Sequence, residues 1–454
     1  MQLLHWFKTG APAPPVRLPR NEMVGRYRKI QWQVFLSLLF GYAFFYTCRL
    51  SLSVAKKPML DAELVTVEEL GIIGSALFFA YAIGKLTNGV LADHSNIRKM
   101  MSFGLLASAL LNLLFGSLTN VTVFVVLWAL NGWFQSMGSA PSGVSIFQWF
   151  EPSRRGRFYG AWAGSHNIGE GISFVVTTNL VALLGWRAGF IAPGILCFIV
   201  AIGLFFLLYD RPTTLGYPAP AALFREPDQA TVKRPSFRSQ MAVLRMPVVW
   251  QLGIACALMY VARYAINSWG VLFLVANKGY TTAEAGFVIG VYPVLGLFGA
   301  VLSGVISDKL FRSDRHMPTF IYGLANVGGL ALLFFGAGGW IDSVALGIFG
   351  FGIGGLIVFL AGLTAAEYCP RDAVGAVKGL IGLFSYIAAS IQEYVSALLI
   401  KTTGSGENAQ YDFTNAIWFW MGAGILSIVV AASVGFTAGD PASRTEGNTQ
   451  DVTE

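Results

Sequence analysis

Charge is what this chain has least of. Only 12% of its 454 residues are Asp, Glu, Lys or Arg, against about 25% in a soluble domain. Cysteine and histidine are also scarce, at four residues each. Cys48, Cys197, Cys256 and Cys369 lie in or at the ends of apolar segments without metal-ligand spacing. They read as free thiols, and no metal or other cofactor is implied. No Gly-rich phosphate loop, nucleophile elbow or metal signature occurs, so neither ATP hydrolysis nor covalent catalysis is suggested and an enzyme is not expected. The first twenty residues, MQLLHWFKTGAPAPPVRLPR, show no apolar core followed by a cleavage site and read as no removable signal peptide.

What is present is apolar. Hydrophobic residues make up 55%, mean hydropathy is +0.60, and there are 52 glycines, as close helix packing in lipid favours. Twelve stretches are long enough to cross a bilayer: 31–54, 70–92, 99–118, 121–149, 157–184, 188–209, 247–275, 284–306, 318–338, 343–366, 373–400 and 412–437. The Pro- and charge-rich segment 210–240 divides them six and six. The expected organisation is a cytoplasmic N-tail (1–29), a six-helix bundle (30–209), a cytoplasmic linker (210–245), a second bundle (246–437) and a cytoplasmic C-tail (438–454). The fold class is an all-α membrane protein with two pseudo-symmetric bundles. With both termini inside, 22 of the 31 lysines and arginines face the cytoplasm and 5 face outward. That bias supports this orientation and assigns the net charge of +7 to membrane topology rather than to nucleic acid.

Four cations remain within spans: Arg49, Lys85, Arg263 and Lys378. The halves echo each other. GVLAD (89–93) and GVISD (304–308) are 215 residues apart, and the same offset carries Arg49 to within one residue of Arg263. An arginine at mid-membrane costs ~2.5–3.5 kcal/mol on insertion scales. Two such costs at equivalent places imply a shared anionic partner, and guanidinium grips two phosphate oxygens without losing its charge. Each arginine could instead pair with a buried acid or snorkel, but spans 1 and 7 contain no acid. Two related halves around a midplane site describe an alternating-access transporter.

Polar stripes surround these cations. Tyr42, Tyr46, Arg49 and Ser53 share one helix face, as do Tyr260, Arg263, Tyr264 and Asn267, and Tyr81, Lys85 and Asn88. Lys85 can meet a ligand or an acid across the bundle. In WAGSHNIGEG (162–171), Trp162, His166, Glu170 and Ser173 form another stripe. His166 suits phosphate donation and changes charge near neutral pH; the alternative is a histidine packed against a neighbouring helix. Glu170 can orient His166, pair with Lys85 or carry a proton. Span 11 holds Lys378, Ser385, Tyr386 and Glu393. There Lys378 can snorkel, and Glu393 can contact other helices, line the cavity or accept from a sugar hydroxyl. Asp93 and Arg98 in GVLADHSNIRK, with Asp308 as the repeat counterpart of Asp93, read as gating residues.

GVLADHSNIRK resembles the loop motif of the major facilitator superfamily. GYAFFYTCR (41–49), NGWFQSMGSAPSG (131–143), SHNIG (165–169), DRPTTLGYP (210–218) and RYAINSWG (263–270) narrow the resemblance to the organophosphate:phosphate antiporter family. The likeness runs from about residue 25 to 437. It implies the major facilitator fold in a bacterial inner membrane. It also implies that Arg49 and Arg263 grip phosphate with His166 nearby, and that Tyr42, Tyr46, Tyr81, Lys85, Trp162, Tyr260 and Tyr386 line the cavity. Exchange of hexose-6-phosphate for inorganic phosphate is the expected activity, by a monomer. A hexose-phosphate sensor working with a histidine kinase, and a proton symporter using Glu170 or Glu393, are the alternatives. The chain departs from the family pattern at Ser139, where the family often has a bulky aromatic, and at Glu170, where it has glycine. Lys378 and the absence of Gly-Pro in span 10 are further departures.

Overall fold

The computed structural model describes residues 6–226, 244–311, 315–364 and 374–438. Cys369 and most of the C-tail lie outside them, as do linker positions 227–243. In chain order the helices are α1 (Arg20–Asp61), α2 (Val67–His94), α3 (Ile97–Ser117), α4 (Val121–Gln135), α5 (Ser139–Trp149), α6 (Pro152–Ala163), α7 (Ser165–Ile172), α8 (Thr178–Leu184), α9 (Ala188–Leu207) and α10 (Pro220–Phe224). The second half of the sequence adds α11 (Pro247–Tyr264), α12 (Gly270–Lys278), α13 (Thr282–Leu310), α14 (His316–Phe335), α15 (Trp340–Val358), α16 (Val374–Leu399) and α17 (Thr414–Ala438). Among the described residues, eleven helical stretches are long and apolar enough to cross a membrane; α16, of 26 residues, lies at the expected span 373–400. Among the described residues, a two-stranded sheet of β1 (Lys401–Thr403) and β2 (Gln410–Asp412) adds to the all-α expectation.

Local chemistry explains the helix starts. Thr66 and Glu69 form a reciprocal capping box at α2: Glu69 N donates to Thr66 Oγ1 (3.2 Å), and Thr66 N donates to the Glu69 carboxylate (2.7 Å). Asn96 and Asn120 cap α3 and α4 by accepting from Lys99 N and Val123 N. Three spans contain single π-turns, at Ser173–Thr177, Ala265–Trp269 and Phe359–Leu363.

Contacts divide the chain into two compact units. The first comprises the described residues of Met1–Thr231, Ser268–Gly290 and Thr402–Tyr411; the second comprises those of Val232–Asn267, Val291–Lys401 and Asp412–Glu454. Both repeat one packing device. A Cβ at Gly132 would overlap the Leu77 carbonyl in the first unit, and a Cβ at Gly350 would overlap the Tyr292 carbonyl in the second. Leu77 and Tyr292 are separated by the same 215 residues as GVLAD and GVISD. Only glycine lets these backbones meet.

In the first unit, the described part of the N-tail packs against the helices at Phe7. Phe7 joins Ala92, Met100 and Met137 in a core cluster, and its carbonyl accepts from Asn96 N (2.6 Å). Residues 210–226 also fold onto this unit. Asp210 Oδ1 accepts from Ile97 N (2.8 Å), the first amide of α3. Phe224 lies under the Arg28 guanidinium at 4.1 Å. Glu151 is buried among Arg28 (2.7 Å), Arg154 (3.3 Å) and Gln31 (3.1 Å).

Candidate ligand site

Each unit carries one buried arginine inside an aromatic cage. In the first unit, Arg49 is 3% exposed. Its guanidinium lies 4.5 Å from the Tyr46 ring centre and 4.2 Å from that of Tyr81. Neither face of the cation meets lipid. Ring quadrupoles supply part of the compensation that water would give. Arg49, Ser139 and Lys85 all lie near the Tyr81 hydroxyl. Ser139, a departure from the family pattern, thus stands at the site. Lys85 is half-buried.

The cage continues along α1 and α6–α7. Tyr42 packs against Trp162 (ring centres 5.0 Å apart) and edge-on to Tyr46 (5.6 Å); Tyr46 lies 5.8 Å from the His166 ring. Gly169 makes this possible. A Cβ there would overlap the Ala43 carbonyl and press on Tyr46, so glycine lets α7 lie directly on α1. His166 Nδ1 is 2.6 Å from the Ala163 carbonyl. A carbonyl only accepts, so Nδ1 carries a proton and the neutral ring leaves Nε2 as an acceptor. A charged ring would present a second N–H there. Glu170, fully buried, is not what holds Nδ1. The Trp162 Nε1–H is buried and donates to no protein atom among the described residues.

In the second unit, Arg263 is 2% exposed. Its Nε donates to the Tyr292 hydroxyl (3.0 Å), which also lies 3.4 Å from Asn267 Nδ2. Tyr260 and Tyr264 place their rings 5.5 and 5.6 Å from the guanidinium carbon. Tyr386 closes the aromatic group at 5.6 Å from Tyr260. Glu393 is fully buried, while Lys378 is exposed one turn into α16.

The gating candidates sit elsewhere. Asp93 is exposed, and its backbone carbonyl accepts from Arg211 Nη2 (3.1 Å). Arg98 lies over the Phe205 ring at 4.8 Å. Asp308 pairs with Arg315 at 2.8 Å. A carboxylate does serve the α3 N-terminus, and it is that of Asp210.

Sequence reasoning missed two residues. Tyr292 had no charge or stripe to single it out. Lys56 falls just outside span 1 (31–54) and so reads from the sequence as an outward loop lysine. In the structure α1 runs on to Asp61 and Lys56 is fully buried. Its position seven residues after Arg49 was the available signal.

The sequence matches the family model for the Major Facilitator Superfamily over residues 38–392. It is 34% identical to the probable hexose phosphate transport protein of Chlamydia muridarum, over 86% of this chain and 90% of the relative. It is 30% identical to the membrane sensor protein UhpC of Escherichia coli, over 96% and 97%. It is 31% identical to the glycerol-3-phosphate transporter of Bacillus subtilis, over 86% and 89%. Among solved structures, a bacterial homologue of the human lysosomal transporter Spinster superposes with a TM-score of 0.70 at 16% identity, covering 90% of this chain and 97% of that one. This last likeness concerns the fold alone.

Proposed function

Since the chain belongs to the Major Facilitator Superfamily and, within it, to the organophosphate:phosphate antiporter family, we propose that it exchanges an organic phosphate, hexose-6-phosphate, for inorganic phosphate by alternating access. The observation that carries this reading is the pair of buried, ring-caged arginines at repeat-equivalent positions, Arg49 and Arg263. Two guanidinium groups balance one phosphate dianion, and each presents a fork of donors to its oxygens. Inorganic phosphate has a second pKa of roughly 6 to 7, comparable with that of phosphate esters, so exchange stays near charge balance. Tyr42, Tyr46, Tyr81, Lys85 and Trp162 line the path on the first unit, and Tyr260, Tyr386 and Glu393 on the second. His166 offers Nε2 to a ligand hydroxyl when neutral and an N–H to a phosphate oxygen when charged. Asp93, Arg98 and Asp308 act in gating.

The protein resides in a bacterial inner membrane with both termini in the cytoplasm, as a monomer. The test is counterflow. Proteoliposomes loaded with phosphate should accumulate labelled hexose-6-phosphate and lose it when internal phosphate is omitted. Uptake that needs no internal phosphate and collapses with the pH gradient would instead indicate a proton symporter. The long match to a membrane sensor protein, over 96% of this chain, favours one second reading: a receptor that binds hexose phosphate, scarcely exchanges it and works with a histidine kinase. Saturable binding without counterflow would identify it.

A further inference from the structure

Lys56 does not behave like a lysine near the end of a span. Its neighbour Lys57 pairs with Asp61 one turn on, as a snorkelling side chain does. Lys56 is 0% exposed. Seven residues beyond Arg49, it lies about 10 Å further along α1 and extends the face of Tyr42, Tyr46, Arg49 and Ser53. Within the first unit its Nζ donates to Ser268 Oγ (2.8 Å) and stands 3.4 Å from the centre of the Trp269 ring. Trp269 is itself fully buried, and its Nε1–H donates to no protein atom among the described residues. A buried N–H left in that state costs about 1–3 kcal/mol. Both residues close the π-turn Ala265–Trp269, a local register change of the kind found at functional sites. The ammonium stands over the face of an indole with a buried N–H and bonds a hydroxyl beside it. All three can donate, so the complement is an anion rich in acceptors.

We propose that Lys56, Ser268 and Trp269 form a second phosphate station on the ligand's path, latched in this conformation by the lysine's own contacts with Ser268 and the Trp269 ring. An arriving phosphate group replaces the ring face and the hydroxyl as the partner of Lys56, and so releases the latch before the ligand passes to Arg49. The inference rests on the transport reading for the direction of passage only.

The test compares wild type with Lys56→Met, Lys56→Arg and Trp269→Phe in full-length protein, checked for monodispersity. Labelled phosphate exchange is measured separately at each membrane face. Lys56→Met should raise KM by about tenfold, the loss of roughly one charged hydrogen bond, at the face bearing the 62–66 loop, with less than a twofold change opposite. Lys56→Arg should lie between. Trp269→Phe keeps an aromatic ring beneath the ammonium but deletes the N–H and should raise the same KM severalfold at that face alone, which a packing defect felt at both faces would not do. An unchanged KM, or an equal rise at both faces, overturns the proposal. If Lys56→Met does not fold, the arginine and phenylalanine variants decide. If wild type exchanges no phosphate, the transport reading fails. Equilibrium binding of inorganic phosphate to the purified protein then decides the station: weakening by Lys56→Met supports it, and unchanged affinity overturns it.

Discussion

Arg49 and Arg263 solve the same burial problem with different neighbours. Arg49 lies 4.5 and 4.2 Å from two tyrosine rings; Arg263 has two neighbouring tyrosine rings on one side and a phenol oxygen on Nε. Replacement by lysine keeps the charge but removes the fork and the planar stacking. Arg49→Lys and Arg263→Lys should each lower counterflow at least about tenfold with the protein still folded, the loss of a charge-assisted hydrogen bond; full activity in proteoliposomes would refute the two-arginine grip. His166 permits a finer comparison. Asparagine can keep the Nδ1-like bond to Ala163 but has nothing at the Nε2 position, whereas glutamine places an amide there. His166→Gln should therefore retain more transport than His166→Asn, with KM rising by about tenfold or more in the latter.

At the scale of elements, small residues set how closely helices approach and hence where site residues stand. Gly169 is the clearest instance, because α7 carries His166 and Glu170 against α1. Gly169→Val should force the two helices apart, lower the folded yield and abolish ligand binding, as read by size-exclusion profile and phosphate binding. Gly286 of α13 plays a comparable part against the Phe174 carbonyl within the first unit. Neither contact could be read from a one-dimensional stripe, because a stripe says which residues share a face but not what that face meets. The length of α1 exceeds the expected span 31–54 for a related reason. Lys56 and Lys57 look like a loop by composition, yet the helix continues for 42 residues to Asp61, and Lys56 is held by Ser268 and Trp269.

At the scale of the molecule, two carboxylates outside the spans should give opposing slopes to stability against pH. Burial alone would raise Glu151, but hydrogen bonds from its own amide, Arg28 and Gln31, with the Arg28 charge, outweigh it and hold the carboxyl below its usual value. Its contribution is present above the ordinary carboxylate range and is lost as pH falls through the lowered value. Asp210 is pushed upward, chiefly by burial against the opposing bonds from Ile97 and Gly10. Its contribution is present below the ordinary range and is lost as pH rises through the raised value. Glu151→Gln should lower Tm at pH 7 by roughly 2–4 °C and flatten the acid limb of a Tm-against-pH series. Asp210→Asn, which keeps an acceptor for Ile97 N, should leave Tm at pH 7 unchanged or higher. A steeper acid limb in the glutamine variant would contradict this assignment.

The amino-acid sequence by itself determined the class of protein, the twelve spans, the repeat offset and the two awkward arginines. Each follows from a local or periodic property: hydropathy over a bilayer's thickness, a recurring motif, or a charge where water is absent. Tertiary structure alone decided that Tyr292 serves Arg263, that Asp210 accepts from the first amide of α3, that His166 commits Nδ1 to Ala163, and that Lys56 turns inward onto Ser268 and Trp269. Those facts depend on which backbone comes within a few ångströms of which side chain. Glycine-mediated helix packing sets that distance, and no spacing along the chain records it.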